Sequence, residues 1–154
     1  NAIDILKNKK KINCQVIIAG EGSERNKIEV LIHQKQLTNE ISLVGSISNP
    51  LSLIKESDLL VLSSKYEGFG MVIVEALSLG KTIVSTDCPS GPSEVIGDSE
   101  FGYLCKVNDP SDLAEKIDYA SKNNFNPEKL ITRSKDFTLE KIGPLYEEIL
   151  DTLN

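Results

Sequence analysis

Two carboxylates, Glu67 and Glu75, flank the run Gly68-Phe69-Gly70-Met71-Val72-Ile73-Val74. If Phe69 or Gly70 opens a helix, the amides of Phe69, Gly70, Met71 and Val72 have no acceptor within it and gather at the positive end of its dipole. Such an end binds a phosphate or a diphosphate, and glycine lets the backbone approach a ligand with no Cβ in the way. The carboxylates stand eight residues apart, about 12 Å of rise if the whole segment were helical. Paired glycosidase carboxylates sit ~5–9.5 Å apart, so these two do not share one proton or one water. They can instead bracket a long ligand. A carboxylate accepts two hydrogen bonds at once and so suits vicinal hydroxyls. A nucleoside diphosphate sugar has that layout: a ribose diol, a diphosphate, then sugar hydroxyls. Two glutamates at this spacing are common by themselves, as a capping acid and a surface residue. The Gly-Phe-Gly between them, in a strand-loop-helix setting, is what adds weight.

The elements that would position these residues alternate along the chain. Residues 12–19 form an apolar run ending at Gly20 and read as a buried parallel strand. A helix follows over 23–37, with Ser23 as its cap. Strands are expected at 41–44, 58–63, 82–85 and 101–105. Helices are expected at 51–56, 71–79, 112–122, 127–135 and 139–150, with a short one entered from the loop at 91–96. Val72-Ile73-Val74 is β-branched, yet Glu75-Ala76-Leu77 continues it with strong helix formers and Gly80 suits a left-handed C′ position. Strand-helix alternation implies right-handed crossovers and an α/β, doubly wound parallel sheet, Rossmann-like in form. Ligands of such sheets bind beyond the carboxyl ends of the strands. The loops at 20–24, 45–49, 64–70 and 86–93 all follow strands and so gather on that edge.

Composition narrows the class. The chain has 154 residues, 40% hydrophobic and 26% charged, with net charge −6. This is globular composition, and the acidic balance argues against a nucleic-acid partner. No apolar run reaches the ~20 residues of a membrane span, so no transmembrane segment is expected. Cys14, Cys88 and Cys105 are odd in number and lack any CxxC spacing, which suits reduced thiols in the cytoplasm. His33, the only histidine, reads as a solvated helix residue. Cys88 reads as a small loop residue, Glu94 as a capping acid, and Ser90, Gly91 and Ser93 as candidates for ligand contact.

Several motifs in order resemble the retaining glycosyltransferases of group 1, or family 4. Residues 65–80 resemble the family's Glu-x7-Glu signature. Val16-Ile17-Ile18-Ala19-Gly20-Glu21-Gly22 resembles its strand followed by Gly-x-Gly, and Leu43-Val44-Gly45-Ser46-Ile47 its loop against the base. Thr82 to Asp87, Gly91 to Ile96, Gly102 to Cys105 and Asp109 to Ala114 keep the family's order, so the match covers residues 12–120.

The resemblance implies the nucleotide-sugar-binding half of a two-domain GT-B fold, with residues 1–154 as a single donor domain. It implies Glu67 as the catalytic residue at the donor sugar's hydroxyls. It implies donor contacts at Gly20, Gly22, Ile47, Gly68, Phe69, Gly70, Met71, Val72 and Glu75, with Glu75 on the ribose. The donor would be a UDP-hexose or UDP-N-acetylhexosamine, with no metal and no other cofactor. The acceptor would be a glycan or a lipid-linked molecule, which allows a place at the inner face of the membrane for the full-length protein. The family's first strand, its diphosphate-gripping Arg and Lys, and its amino-terminal acceptor domain precede the matched region and have no counterpart here, so the segment alone is expected to be inactive. A nucleotide-sugar epimerase relative would lack the paired glutamates, and a non-catalytic Rossmann-like binding domain would not need them.

Overall fold

The computed structural model describes residues 1–152. In chain order the elements are α1 (Ala2–Asn8), β1 (Val16–Ala19), α2 (Arg25–Gln34), β2 (Ile41–Gly45), α3 (Pro50–Glu56), β3 (Leu59–Leu62), α4 (Met71–Ser78), β4 (Thr82–Thr86), α5 (Pro92–Ile96), β5 (Tyr103–Cys105), α6 (Pro110–Lys122), α7 (Pro127–Ser134), a short 3-10 turn (Lys135–Phe137) and α8 (Leu139–Thr152). Three of the helix starts combine proline at the first turn with an Asn or Asp cap. Asn49, Asp109 and Asn126 accept backbone N–H bonds ahead of Pro50, Pro110 and Pro127, which fixes where the chain turns from loop to helix.

All the strand pairs are parallel. They form two sheets among the described residues, β1-β2 and β3-β4-β5. The larger sheet carries the main core. Every residue of β4 is buried, because β4 has a neighbour on each edge and helices against it. Ile83 meets Ile73, Ala76 and Leu77 of α4 and Leu130 of α7, all fully buried, while Val84, also fully buried, faces the other side of the strand. Each such aliphatic side chain contributes about 1.5–3 kcal/mol by leaving water. The β-branched run at 72–74 is therefore helical because its apolar face is covered, which outweighs its modest intrinsic preference for strand. Gly80 takes the left-handed conformation expected of it, with φ +66, and a Cβ there would lie 2.8 Å from Pro127 Cβ of α7. A second, smaller cluster joins Ala2 and Leu6 of α1 to Ala114 of α6.

Two expectations need correction. The strand at 12–19 is shorter, and it is not buried: Ile17 is 50% exposed and Ile18 40%. Successive strand residues face opposite sides, so both faces of β1 are open, and its only strand neighbour among the described residues is β2. Apolar patterning reported a strand with both faces covered, but no described residue covers Ile17 or Ile18 to that degree. Ser23 is not the cap of α2. Glu24 occupies that position, and no side chain bonds the first-turn amides.

Candidate active site

The Glu67–Glu75 segment begins where β3 ends. The chain leaves the sheet at Ser63, crosses a loop and enters α4 at Met71. Gly70 is the residue before that helix and has φ +79 and ψ +49, a left-handed conformation that an L side chain adopts only at a cost of about 1–2 kcal/mol. The turn folds the Ile73 amide back onto the Gly70 carbonyl at 2.8 Å. The amides of Phe69, Gly70, Met71 and Val72 meet no acceptor among the described residues. Only the stretch from Met71 is helical, so the helical rise between the two glutamates counts from there to Glu75, about 6 Å. The expected 12 Å applied to a continuous helix, which the left-handed Gly70 interrupts.

The loop ahead of α4 is tied down from several directions. The Ser64 hydroxyl donates to Glu67 Oε1 at 2.6 Å. The buried Thr86 hydroxyl, at the end of β4, donates to the Ser64 carbonyl at 2.6 Å. The Ser90 hydroxyl lies 2.7 Å from both the Glu67 carbonyl and the Pro89 carbonyl and shares its one proton between them, so it ties the loop while its oxygen can still accept. Gly91 is so close to Phe69 that a Cβ there would lie 2.5 Å from the Phe69 carbonyl oxygen. The Phe69 ring packs edge-on against Phe137 at 5.5 Å. Arg133 lies over the Phe137 and Phe101 rings and donates to the carbonyls of Glu94 and Val95, which holds α5. The Gly91 amide donates to Glu94 at 3.5 Å, so Glu94 does act as a weak cap. Glu67 and Glu75 are both half-buried, and no cation pairs with either among the described residues.

The remaining expected contacts lie at the ends of β1 and β2. Gly20 has φ +133 and its amide donates to the Gly45 carbonyl at 2.8 Å. Gly22 faces open space, Ile47 is half-buried, and Arg25 bridges Glu21 at 2.6 Å. Gly20, Gly22 and Ile47 thus form one group and residues 67–75 another, each beyond the carboxyl ends of parallel strands. No hydrogen bond or ion pair among the described residues joins the two groups. A shallow cleft lined by Arg25, Glu29, His33, Thr38 and Leu43 shares no residue with either, and His33 is exposed there.

Gly68 and Gly70 differ in what they demand. Gly70 needs its left-handed backbone, and a Cβ would sit 3.2 Å from Ile73 Cδ1; at Gly68 a Cβ would meet nothing within 4 Å and φ is not positive. Gly70→Ala is expected to lower stability by about 1–2 kcal/mol, read by denaturant unfolding of the full-length protein. Gly68→Ala is expected to leave stability within ~0.5 kcal/mol while weakening any ligand that approaches the loop.

The thiols do not add chemistry. Cys88 and Cys105 are buried. Burial, together with Asp112, pushes the Cys105 thiol up to about 11, and burial raises Cys14 as well. Sequence reasoning missed Ser64 and Thr86. A signal for Ser64 was present, since Ser64-Lys65-Tyr66-Glu67 has the S-x-x-E spacing that lets a hydroxyl and a carboxylate meet across a turn. Thr86 gave none, because its partner is 22 residues away.

Residues 1–137 match the family model of the glycosyl transferases group 1. An uncharacterized glycosyltransferase of Methanocaldococcus jannaschii is 35% identical over 141 residues, covering 88% of this chain and 31% of that protein. A poly(ribitol-phosphate) alpha-N-acetylglucosaminyltransferase of Staphylococcus aureus is 32% identical over 134 residues, covering 87% of this chain and 27% of its own length. Among solved structures, a variant of Staphylococcus aureus TarM in complex with fondaparinux, alpha-GlcNAc-glycerol and UDP superposes with a TM-score of 0.80 at 28% identity, over 99% of this chain and 31% of that one. The chain therefore spans about a third of the length of these relatives. The GT-B neighbours share the Rossmann-like half that the strand-helix alternation led us to expect. With a family model that runs through both glutamates, the Gly-Phe-Gly turn and every strand of the two sheets, the chain belongs to the glycosyl transferases group 1.

Proposed function

We propose that this chain is the donor-binding domain of a glycosyltransferase. It takes a nucleotide-diphosphate sugar, a UDP-hexose or UDP-N-acetylhexosamine, for retaining transfer to a glycan or a lipid-linked acceptor in the full-length protein. The observation that carries the reading is the left-handed start of α4, where among the described residues four amides meet no acceptor and no cation pairs with the carboxylate on either side. Glu67 is the catalytic residue, touching the donor sugar's hydroxyls. The amides of Phe69, Gly70, Met71 and Val72 hold the distal phosphate, Gly68 leaves room for it, and Glu75 accepts from the ribose diol. Gly20, Gly22 and Ile47 line the nucleotide end. The printed names of the relatives support a UDP-linked donor: one is an N-acetylglucosaminyltransferase, and the TarM variant was crystallised with UDP.

The charge logic of the site needs no metal. Helix amides stabilise the phosphate charge as it grows on the leaving group, and basic side chains from the rest of the protein would complete the grip. In this reading a further parallel strand lies between β1 and β3, and an acceptor domain closes over the carboxyl edge to exclude water and align the acceptor. Two observations support the strand. Among the described residues β1 has β2 as its only strand neighbour, with Ile17 and Ile18 exposed, and β3 has β4 as its only strand neighbour, with Val61 40% exposed. No helix among the described residues is long and apolar enough to cross a membrane; in this reading the protein works in the cytoplasm or at the inner face of a membrane.

Calorimetric titration of the full-length protein with UDP-, GDP- and ADP-sugars tests the assignment. UDP-sugars are expected to bind most tightly, and added EDTA to leave the affinity unchanged. Binding of none of the three would refute the donor-domain reading, and loss of affinity in EDTA would refute its metal-free part.

A further inference from the structure

We propose that Ser64 is a positioning residue that fixes the plane of the Glu67 carboxylate and thereby sets which donor sugars the site accepts. The inference rests on the reading of Glu67 as the group that meets the sugar.

The argument starts from a short chain of hydrogen bonds. Thr86 is 3% exposed at the carboxyl end of β4, in the best-packed part of the molecule. Its hydroxyl donates to the Ser64 carbonyl at 2.6 Å, and the Ser64 hydroxyl donates to Glu67 Oε1 at 2.6 Å. The rigid sheet thus reaches the carboxylate in two steps. Bonds from a hydroxyl to an ionised oxygen are short and about twice as strong as neutral ones. The backbone of Glu67 is held separately, by the Ser90 hydroxyl on its carbonyl. Side chain and main chain are therefore each fixed by a different element.

This has a consequence for recognition. A carboxylate that can turn about its last torsion adapts to hydroxyls in several arrangements, because that torsion is broad. With Oε1 committed to Ser64, Oε2 and the outer lone pair of Oε1 point in set directions. A pair of sugar hydroxyls whose stereochemistry matches those directions is accepted. An epimer leaves one acceptor unpaired, which a site built on hydrogen bonds penalises strongly. No ion pair forms at Glu67 among the described residues, so the Ser64 hydroxyl supplies the one side-chain hydrogen bond to its carboxylate there.

The test compares Ser64→Ala, Ser64→Thr and Thr86→Val with the parent in the full-length protein. UDP affinity is measured by calorimetry, and kcat and KM with UDP-glucose against UDP-galactose and with the two corresponding N-acetylated donors. Ser64→Ala is expected to lower kcat with the preferred donor by up to about a hundredfold, the scale of a small misplacement. It should also shrink the preference between epimers by about tenfold, with UDP affinity within twofold of the parent. Ser64→Thr, which keeps the hydroxyl, should recover most of both. Thr86→Val should show a weaker form of the same effect and add little to Ser64→Ala, since the two act along one path. Unchanged kcat and epimer preference in Ser64→Ala would overturn the proposal. So would an equal loss of UDP affinity and of turnover with every donor that Ser64→Thr does not recover. Glu67→Ala run alongside separates the two levels: if it too leaves turnover unchanged, the donor-site reading itself has failed, not only the role of Ser64.

Discussion

Glu67→Ala in the full-length protein is expected to lower kcat by about a hundredfold to a thousandfold, with UDP affinity changed less than threefold. The size follows from the role proposed for the residue. A preorganised polar group aimed at the reacting part of a substrate is worth about 2.7–4 kcal/mol of transition-state stabilisation. Glu67 is preorganised in that sense, with its carboxylate bonded to Ser64 and its carbonyl to Ser90. The loop has no freedom to substitute another acid, since its neighbours are Lys65, Tyr66 and Gly68. The diagnostic is the split between turnover and binding. An interaction made chiefly in the transition state lowers kcat and kcat/KM together, while one made equally with bound substrate raises KM alone. Steady-state kinetics with a UDP-sugar, alongside calorimetry with UDP, reads the split. Equal loss of affinity and turnover would remove the transition-state role.

Glu75→Ala is expected to do the opposite. Glu75 lies within the first two turns of α4, half-buried, with no cation or donor competing for its carboxylate among the described residues. A carboxylate that accepts both ribose hydroxyls is worth about 1.5–3 kcal/mol, or roughly tenfold to a hundredfold in affinity. That loss should appear for UDP itself as much as for the UDP-sugar, and kcat at saturating donor should stay within a few-fold of the parent. UDP affinity equal to the parent's would show that Glu75 does not hold the ribose.

The two glutamates could be found in the sequence because their meaning is local. Gly70 and Gly80 mark the ends of α4, and the glutamates stand at fixed distances from those ends, so periodicity and punctuation alone place them on a loop and on a helix. The same holds for the order of strands, since β2, β3 and β4 are short apolar runs bounded by turn residues. Elsewhere the determinants are distant in sequence. Thr86 reaches Ser64 across 22 residues and Ser90 reaches Glu67 across 23, and no local pattern announces either. The requirement for glycine at 91 comes from the Phe69 carbonyl, on a different loop. The exposure of β1 was illegible for a related reason. Val16-Ile17-Ile18-Ala19 carries the pattern of a strand covered on both faces, which is what β1 would be with the second neighbour that the proposed domain gives it.

The claim on which the rest depends is that the start of α4 receives the phosphates of a sugar nucleotide. Amide NMR of the full-length protein, titrated with UDP and then with a UDP-sugar, addresses it residue by residue. The account predicts saturable shifts at the amides of Phe69, Gly70, Met71 and Val72 with both ligands, a shift at Glu75 with UDP, and a further shift at Glu67 only when the sugar is present. Saturable shifts confined to the α2–β2 cleft around Arg25 and His33, with residues 67–75 unmoved, would contradict it.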